Sequence, residues 1–343
     1  MRPGATDVWR HVIQQIAILG AGGWGTALAV HLARSGHTPV LWGRDQALVA
    51  DMRARRANAV YLPDAVLPDG VRVTDALADA VPRASIVVVA VPTHGVRAIL
   101  RQMAPILNRA AIVVSATKGL EQVTHLRVSE IIEQELGPVR IGVLSGPSFA
   151  SEVARQLPTA VSVASRDTAV VDALLAEFRA PYFRLYGTAD VVGVEIGGAM
   201  KNVIAIAAGA AEGLGLGHNA LAGLITRGLV EIARLACAAG AQRETLSGLT
   251  GLGDLVLTCT GALSRNRHVG MELARGRSLH DVLAGMKMVA EGVRTTEAAL
   301  ALGVRYGIEL PITAQVAELL AGRKDARTAL FDLMLRPQRA EVG

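Results

Sequence analysis

Short runs of aliphatic and β-branched residues punctuate the first half of the chain, separated by longer segments of helical character. The runs fall at 16–19, 40–42, 71–73, 86–90, 112–115, 141–144, 160–163 and 183–186. Several are apolar at every position, as strands covered on both faces are. Alternation of such runs with helical segments predicts a mostly parallel, doubly wound sheet in an α/β arrangement. After about Thr188 the β-branched clusters stop. Segments rich in Ala, Leu and Gly take over at 194–212, 219–239, 267–274, 278–284, 295–302 and 312–321, and they predict an all-helical second half. The expected organisation is a tail at 1–14, an α/β unit at 15–189, a helical unit at 190–335 and a tail at 336–343.

Composition narrows the classes open to the chain. Its 343 residues are 51% apolar but only 3% aromatic, so the core is built from small aliphatic side chains and intrinsic disorder is excluded. A net charge of +5 with so few aromatics to stack on bases argues against a nucleic-acid partner. The scattered arginines fit either an anionic small molecule or a solvated surface. Cys237 and Cys259 have no His or Cys neighbour at ligand spacing, so no metal is expected and both read as reduced core thiols. The first residues lack the basic-then-apolar pattern of a signal peptide, and the longest apolar runs, around 203–211, look too short to cross a bilayer. The expectation is a cytoplasmic protein without stable membrane insertion.

The first run leads straight into Gly20-Ala21-Gly22-Gly23-Trp24-Gly25, a G-x-G-x-x-G at a strand-to-helix junction. Gly20 permits the tight turn, Gly22 lets backbone N–H groups approach a pyrophosphate, and Gly25 lets the helix pack close to the strand. This context predicts a dinucleotide site. Arg44 follows the second strand where a carboxylate would read an NAD ribose, so NADP(H) is favoured, while Asp45 leaves NAD(H) open. A solvated surface arginine would leave the same trace. Three further loops, at 91–93, 116–119 and 144–150, follow strand ends on the edge where ligands bind in open α/β sheets, and one of them carries Lys118.

In the second half, Lys201-Asn202 interrupts a helix that is apolar or small on nearly every face. A buried ammonium meets a carboxylate or performs acid/base chemistry; the competing reading is a lysine snorkelling to solvent. Residues 248–254 form a glycine-rich turn ending in Asp254, and ten residues further Ser264-Arg265-Asn266 offers a hydroxyl, a guanidinium and an amide suited to a phosphate. Ser264 is equally an ordinary helix N-cap. None of the eight histidines has a triad or metal pattern; His218 reads as a helix start and His31 as a packing or surface residue.

These segments together resemble the bacterial-type NAD(P)-dependent glycerol-3-phosphate dehydrogenases over about residues 16–321. The likeness is carried by 20–29, Tyr61-Leu62-Pro63, 116–119, 144–150, Gly193-Val194-Glu195, 198–202, 224–228, 251–255 with Thr258-Cys259, Ser264-Arg265-Asn266 and Glu291-Gly292. Met200 stands where the family often has Leu, and residues 1–14 precede its usual start. The resemblance implies a Rossmann-like domain followed by an all-helical domain, usually a homodimer, interconverting dihydroxyacetone phosphate and sn-glycerol 3-phosphate for phospholipid synthesis. By the same resemblance, Lys201 transfers the proton, and Lys118 contacts both cofactor and substrate. Gly146, Ser148, Asp254, Ser264, Arg265 and Asn266 contact substrate, while Gly23, Trp24, Arg44, Ala150, Arg265, Val289 and Glu291 contact the nucleotide. Two other readings stay open at this level: a ketopantoate reductase or β-hydroxyacid dehydrogenase on the same scaffold, and a non-enzymatic dinucleotide sensor.

Overall fold

A computed structural model describes residues 14–337, so residues 1–13 and 338–343, most of both expected tails, lie outside the described residues. The strands are β1 (Gln15–Leu19), β2 (Thr38–Trp42), β3 (Ala57–Asn58), β4 (Leu62–Val66), β5 (Arg72–Thr74), β6 (Ile86–Val89), β7 (Ile112–Ser115), β8 (Arg140–Ser145), β9 (Thr159–Ala164) and β10 (Phe183–Thr188). Between them run α1 (Gly23–Arg34), α2 (Gln46–Arg55), α3 (Leu77–Ala80), α4 (Thr93–Met103), α5 (Val128–Leu136), α6 (Ala150–Ala154) and α7 (Thr168–Phe178). From Val191 on, the described residues hold only helices: α8 (Val191–Gly213), α9 (Gly217–Ala238), α10 (Arg243–Leu246), α11 (Asp254–Thr260), α12 (Arg265–Ala274), α13 (Leu279–Ala284), α14 (Glu291–Tyr306), α15 (Pro311–Leu320) and α16 (Ala326–Met334).

Eight strands make one sheet in the order β10-β9-β8-β7-β6-β1-β2-β5. Successive strand residues point to opposite faces. Ile16 and Ile18 therefore join one apolar layer with Ile86 and Val88, while Ala17 and Leu19 join the other with Val87 and Val89. Helices cover both layers, which is why these runs are apolar throughout. The sheet is parallel except between β8 and β9, which pair antiparallel through Val143–Ala164, Leu144–Val163 and Ser145–Ser162. The β3–β4 hairpin, absent from the sequence reading, has only two of five β4 residues buried and so carries no continuous apolar signal.

In the helical half, α8 is the axis. It runs for 23 residues and holds an 18-residue stretch of mean hydropathy 1.5, so it is long and apolar enough to cross a bilayer, which corrects the expectation from the shorter runs. Of that stretch 89% is buried inside the protein, as in a core helix. Residues 248–254 are not an open turn: Leu249–Gly253 form one π-helical turn that feeds into α11. A side chain at Gly251 would collide with the Leu246 carbonyl, so that glycine serves backbone packing rather than a ligand loop. Only Cys259 is a core thiol; Cys237 is exposed on α9, contrary to expectation. His31 is fully buried, with Nε2 donating to the Phe178 carbonyl (2.7 Å) and Nδ1 accepting from the Tyr182 hydroxyl (2.9 Å).

Candidate active site

The glycine loop leaves the sheet at the carboxyl end of β1. Gly20 takes φ +127°, a conformation open to glycine, and a side chain there would lie 2.7 Å from the Ala90 carbonyl. The α1 N-terminus has no side-chain cap and no acidic residue in its first turn, and the space beside Gly22 is open. Helix N–H groups without a cap, facing open space, suit a pyrophosphate. A methyl group on Gly23 would stand 3.0 Å from the Tyr61 carbonyl, 3.7 Å from Ala150 Cβ and 3.9 Å from Met288 Sδ. The hairpin, α6 and the 288–289 segment therefore wall this loop. Trp24 adds a buried indole N–H without a partner among the described residues. These features fit a bound dinucleotide. Arg44 is exposed just past β2, and Asp45 caps α2 by accepting from Leu48 N (3.1 Å).

Across the same sheet edge, two lysines converge on Asp254, which is 1% exposed. Lys201 Nζ donates to Asp254 Oδ1 (2.6 Å) and to Thr258 Oγ1 (2.8 Å). Lys118 Nζ donates to Asp254 Oδ2 (2.8 Å), the Gly146 carbonyl (2.7 Å) and Ser148 Oγ (3.3 Å). An ammonium has three hydrogens. Lys118 has spent all of its own, whereas Lys201 keeps one. Lys201 is 6% exposed, which removes the snorkelling reading. Burial pushes its pKa down to about 8, against the pull of Asp254 and with repulsion from Lys118. Cys259 behind it is a thiol pushed up to about 12 by burial.

Sequence reasoning assigned no role to Thr258 or Asn202, yet both are in the cluster. Thr258 lies four residues after Asp254 on one helix face, a spacing that could have flagged it. Asn202 donates to the Lys118 carbonyl (3.1 Å) and accepts from Asn266 Nδ2 (2.8 Å), and Asn266 Oδ1 accepts from Gly292 N (3.0 Å). This amide chain has long-range partners and left no local signal. Ser264 caps α12 by accepting from Arg267 N (3.3 Å). Arg265 is exposed and spends one N–H on the Val289 carbonyl (2.8 Å). Of the Ser-Arg-Asn triplet, then, only the guanidinium presents most of its donors outward.

Two buried carboxylates join the halves around this cluster. Glu195 of α8 accepts from Ser129 N (2.8 Å), Ser129 Oγ (2.6 Å) and Arg127 Nη1 (2.8 Å) at the start of α5. Glu291 of α14 accepts from Thr93 N (3.2 Å) and Thr93 Oγ1 (3.0 Å) at the start of α4. Burial raises the pKa of both carboxyls against these hydrogen bonds. A side chain on Gly119 would run into Thr93 and Glu291, so this glycine admits that contact rather than a ligand.

A Rossmann-like dinucleotide cradle facing a buried lysine on a helical second half defines a two-part, dinucleotide-dependent dehydrogenase. Comparison with known proteins narrows the class. Residues 15–171 match the family model of the NAD-dependent glycerol-3-phosphate dehydrogenase N-terminus, and residues 190–331 match that of its C-terminus. The chain belongs to the NAD-dependent glycerol-3-phosphate dehydrogenase family. It is 52% identical over 335 residues to the glycerol-3-phosphate dehydrogenase [NAD(P)+] of Koribacter versatilis, covering 96% of this chain and 99% of that one. The crystal structure of glycerol-3-phosphate dehydrogenase from Coxiella burnetii superposes with a TM-score of 0.92 at 40% identity, over 94% of this chain and 99% of that one. A ketopantoate reductase from Ralstonia eutropha shares the fold, with a TM-score of 0.57 at 17% identity over 92% of this chain and 99% of that one.

Proposed function

We propose that this protein reduces dihydroxyacetone phosphate to sn-glycerol 3-phosphate, reversibly, with NADP(H) favoured and NAD(H) accepted, supplying glycerophospholipid synthesis. The observation that carries the reading is the buried Lys201–Asp254–Thr258 cluster, with one ammonium hydrogen left to give, at the sheet edge that also bears the glycine loop. The nicotinamide dinucleotide supplies the hydride when bound.

The protein's own groups do the rest. Lys201 gives its remaining proton to the C2 oxygen as negative charge develops there, and Asp254 and Thr258 hold the amine in line. Two lysines sharing one carboxylate leave the pocket net positive, which favours an anionic substrate. Lys118 adds positive charge but must trade the Gly146 carbonyl or Ser148 to touch the substrate directly. Arg265, with most of its guanidinium free, holds the substrate phosphate, and the remaining amide hydrogen of Asn266 and the hydroxyl of Ser264 stand beside it. Holding that remote phosphate spends binding energy on orienting the carbonyl. Around the nucleotide stand Gly20, Gly22, Gly23, Trp24, Gly25, Arg44, Ala150, Val289 and Glu291. In this reading the chain divides near residue 190 and works in the cytoplasm as a homodimer, without a nucleic-acid partner or stable membrane insertion.

The test is NADPH oxidation with dihydroxyacetone phosphate, compared with ketopantoate and 2-oxo acids. Turnover with the triose phosphate alone is expected. In Lys201→Ala it should fall by a factor on the order of 10² or more with NADPH binding retained; near-normal kcat in that variant overturns the assignment.

A further inference from the structure

The β3–β4 hairpin sends one side chain into the glycine loop. Asn58 ends β3 and is fully buried. Its Nδ2 donates to the Ala21 carbonyl (2.9 Å) and to Thr26 Oγ1 (2.8 Å), and its Oδ1 accepts from Tyr61 N (3.1 Å). A carbonyl only accepts and a backbone N–H only donates, so these partners fix which end of the amide is which. One side chain thus joins the glycine loop, the first turns of α1 and the hairpin. Leu62, next to Tyr61, lies in the same apolar layer as Ala21, Ala27 and Leu28, which keeps the hairpin against the loop.

Peptide planarity carries the consequence. In a trans peptide the carbonyl and the N–H of the following residue point in opposite directions, and no peptide bond among the described residues is cis. Holding the Ala21 carbonyl towards Asn58 therefore turns the Gly22 N–H away from it. One residue on, the Gly22 carbonyl accepts from Thr26 N (2.9 Å), which turns the Gly23 N–H away from the body of the helix. Both N–H groups belong to the uncapped end of α1, and the space beside Gly22 is open. The two bonds differ in origin. The Gly22 carbonyl is held by the helix itself, whereas the Ala21 carbonyl lies before the helix and takes its bond from the hairpin. Were that carbonyl released to rotate, it would present an oxygen in place of an N–H to the phosphates.

We infer that Asn58 is a positioning residue for the cofactor: by holding the Ala21 carbonyl inward it keeps the N–H groups of the glycine loop directed at the pyrophosphate, with Thr26 fixing the amide in turn. The inference rests on the proposed dehydrogenase reading and extends it to a side chain outside the glycine loop.

Calorimetric titration of the intact protein with ADP-ribose, which carries the pyrophosphate but no hydride, reads the loop without turnover. Asn58→Ala should weaken ADP-ribose by about tenfold or more and raise KM for NADPH in step, with kcat at saturating NADPH and KM for dihydroxyacetone phosphate within about twofold of the original. Thr26→Val keeps the shape of the side chain but removes one acceptor, and should weaken ADP-ribose severalfold. Thr26→Ser keeps the hydroxyl and should bind as the unaltered protein does. Leu67→Ala removes a buried side chain from the same apolar layer and shows the effect of lost stability alone; its affinity should stay within about twofold. An ADP-ribose affinity in Asn58→Ala within about twofold of the original overturns the inference, as does an equal loss in Leu67→Ala. If Asn58→Ala does not fold, the Thr26 pair decides, and equal affinities of its Val and Ser variants overturn the inference. An unaltered protein that binds ADP-ribose without reducing dihydroxyacetone phosphate would instead overturn the dehydrogenase reading and leave the role of Asn58 standing.

Discussion

At the scale of single residues, one carboxylate governs the chemistry. Asp254 accepts from both Lys118 and Lys201, and at Lys201 burial outweighs the pull of that carboxylate and holds the amine at about 8 rather than the usual 10.5. Reduction needs the ammonium as proton donor; oxidation needs the free amine as acceptor. It follows that kcat/KM for dihydroxyacetone phosphate reduction is level below about pH 8 and falls above it, while kcat/KM for glycerol 3-phosphate oxidation rises through the same range. Initial rates in both directions, from about pH 6 to about pH 10, check this; a midpoint near 10.5 in either direction would remove Lys201 from the proton transfer. The lysine itself was legible as a lone cation in an apolar helix. Its partners were not, because Asp254 lies 53 positions away and no local pattern pairs them.

At the scale of elements, the crossing of α8 and α12 decides how close the catalytic helix sits to its neighbours. A methyl group at Gly209 would overlap the Arg267 carbonyl oxygen, and one at Gly270 would overlap that of Ile206. Backbone meets backbone here, so no side chain can rotate aside. Gly209→Ala is expected to cost about 3 kcal/mol, at the upper end for overpacking. Gly223→Ala on α9, where nothing lies within 4 Å, should instead stabilise by about 0.5–1 kcal/mol. Urea unfolding of both variants measures the contrast, and equal effects would dismiss the close crossing. The abundance of glycine was visible in the chain. That it serves helix crossings as much as ligand loops was not, since a glycine carries no mark of what lies opposite it.

At the scale of the whole molecule, Glu195 and Glu291 tie the sheet to the helices through the N-termini of α5 and α4. Removing Glu195 strands the Ser129 N–H and hydroxyl and takes one partner from Arg127. Glu195→Ala is expected to lose about 3 kcal/mol of stability and to lower kcat/KM, because α8 carries Lys201 six positions further on. Denaturant unfolding together with steady-state rates checks both, and an unchanged kcat/KM would confine Glu195 to stability. The sequence by itself determined the eight strands of the main sheet, the glycine turn, the burial of α8 and the order of the two parts of the chain. Those follow from local periodicity and from backbone conformations that few residues accept. Only the tertiary structure decided the reversed pairing of β9, the sharing of Asp254 by two lysines and the seating of Glu291 on Thr93. Lys118 and Asp254 are 136 positions apart, and such meetings depend on how whole elements pack, which the hydrophobic pattern constrains only to a face and not to a partner.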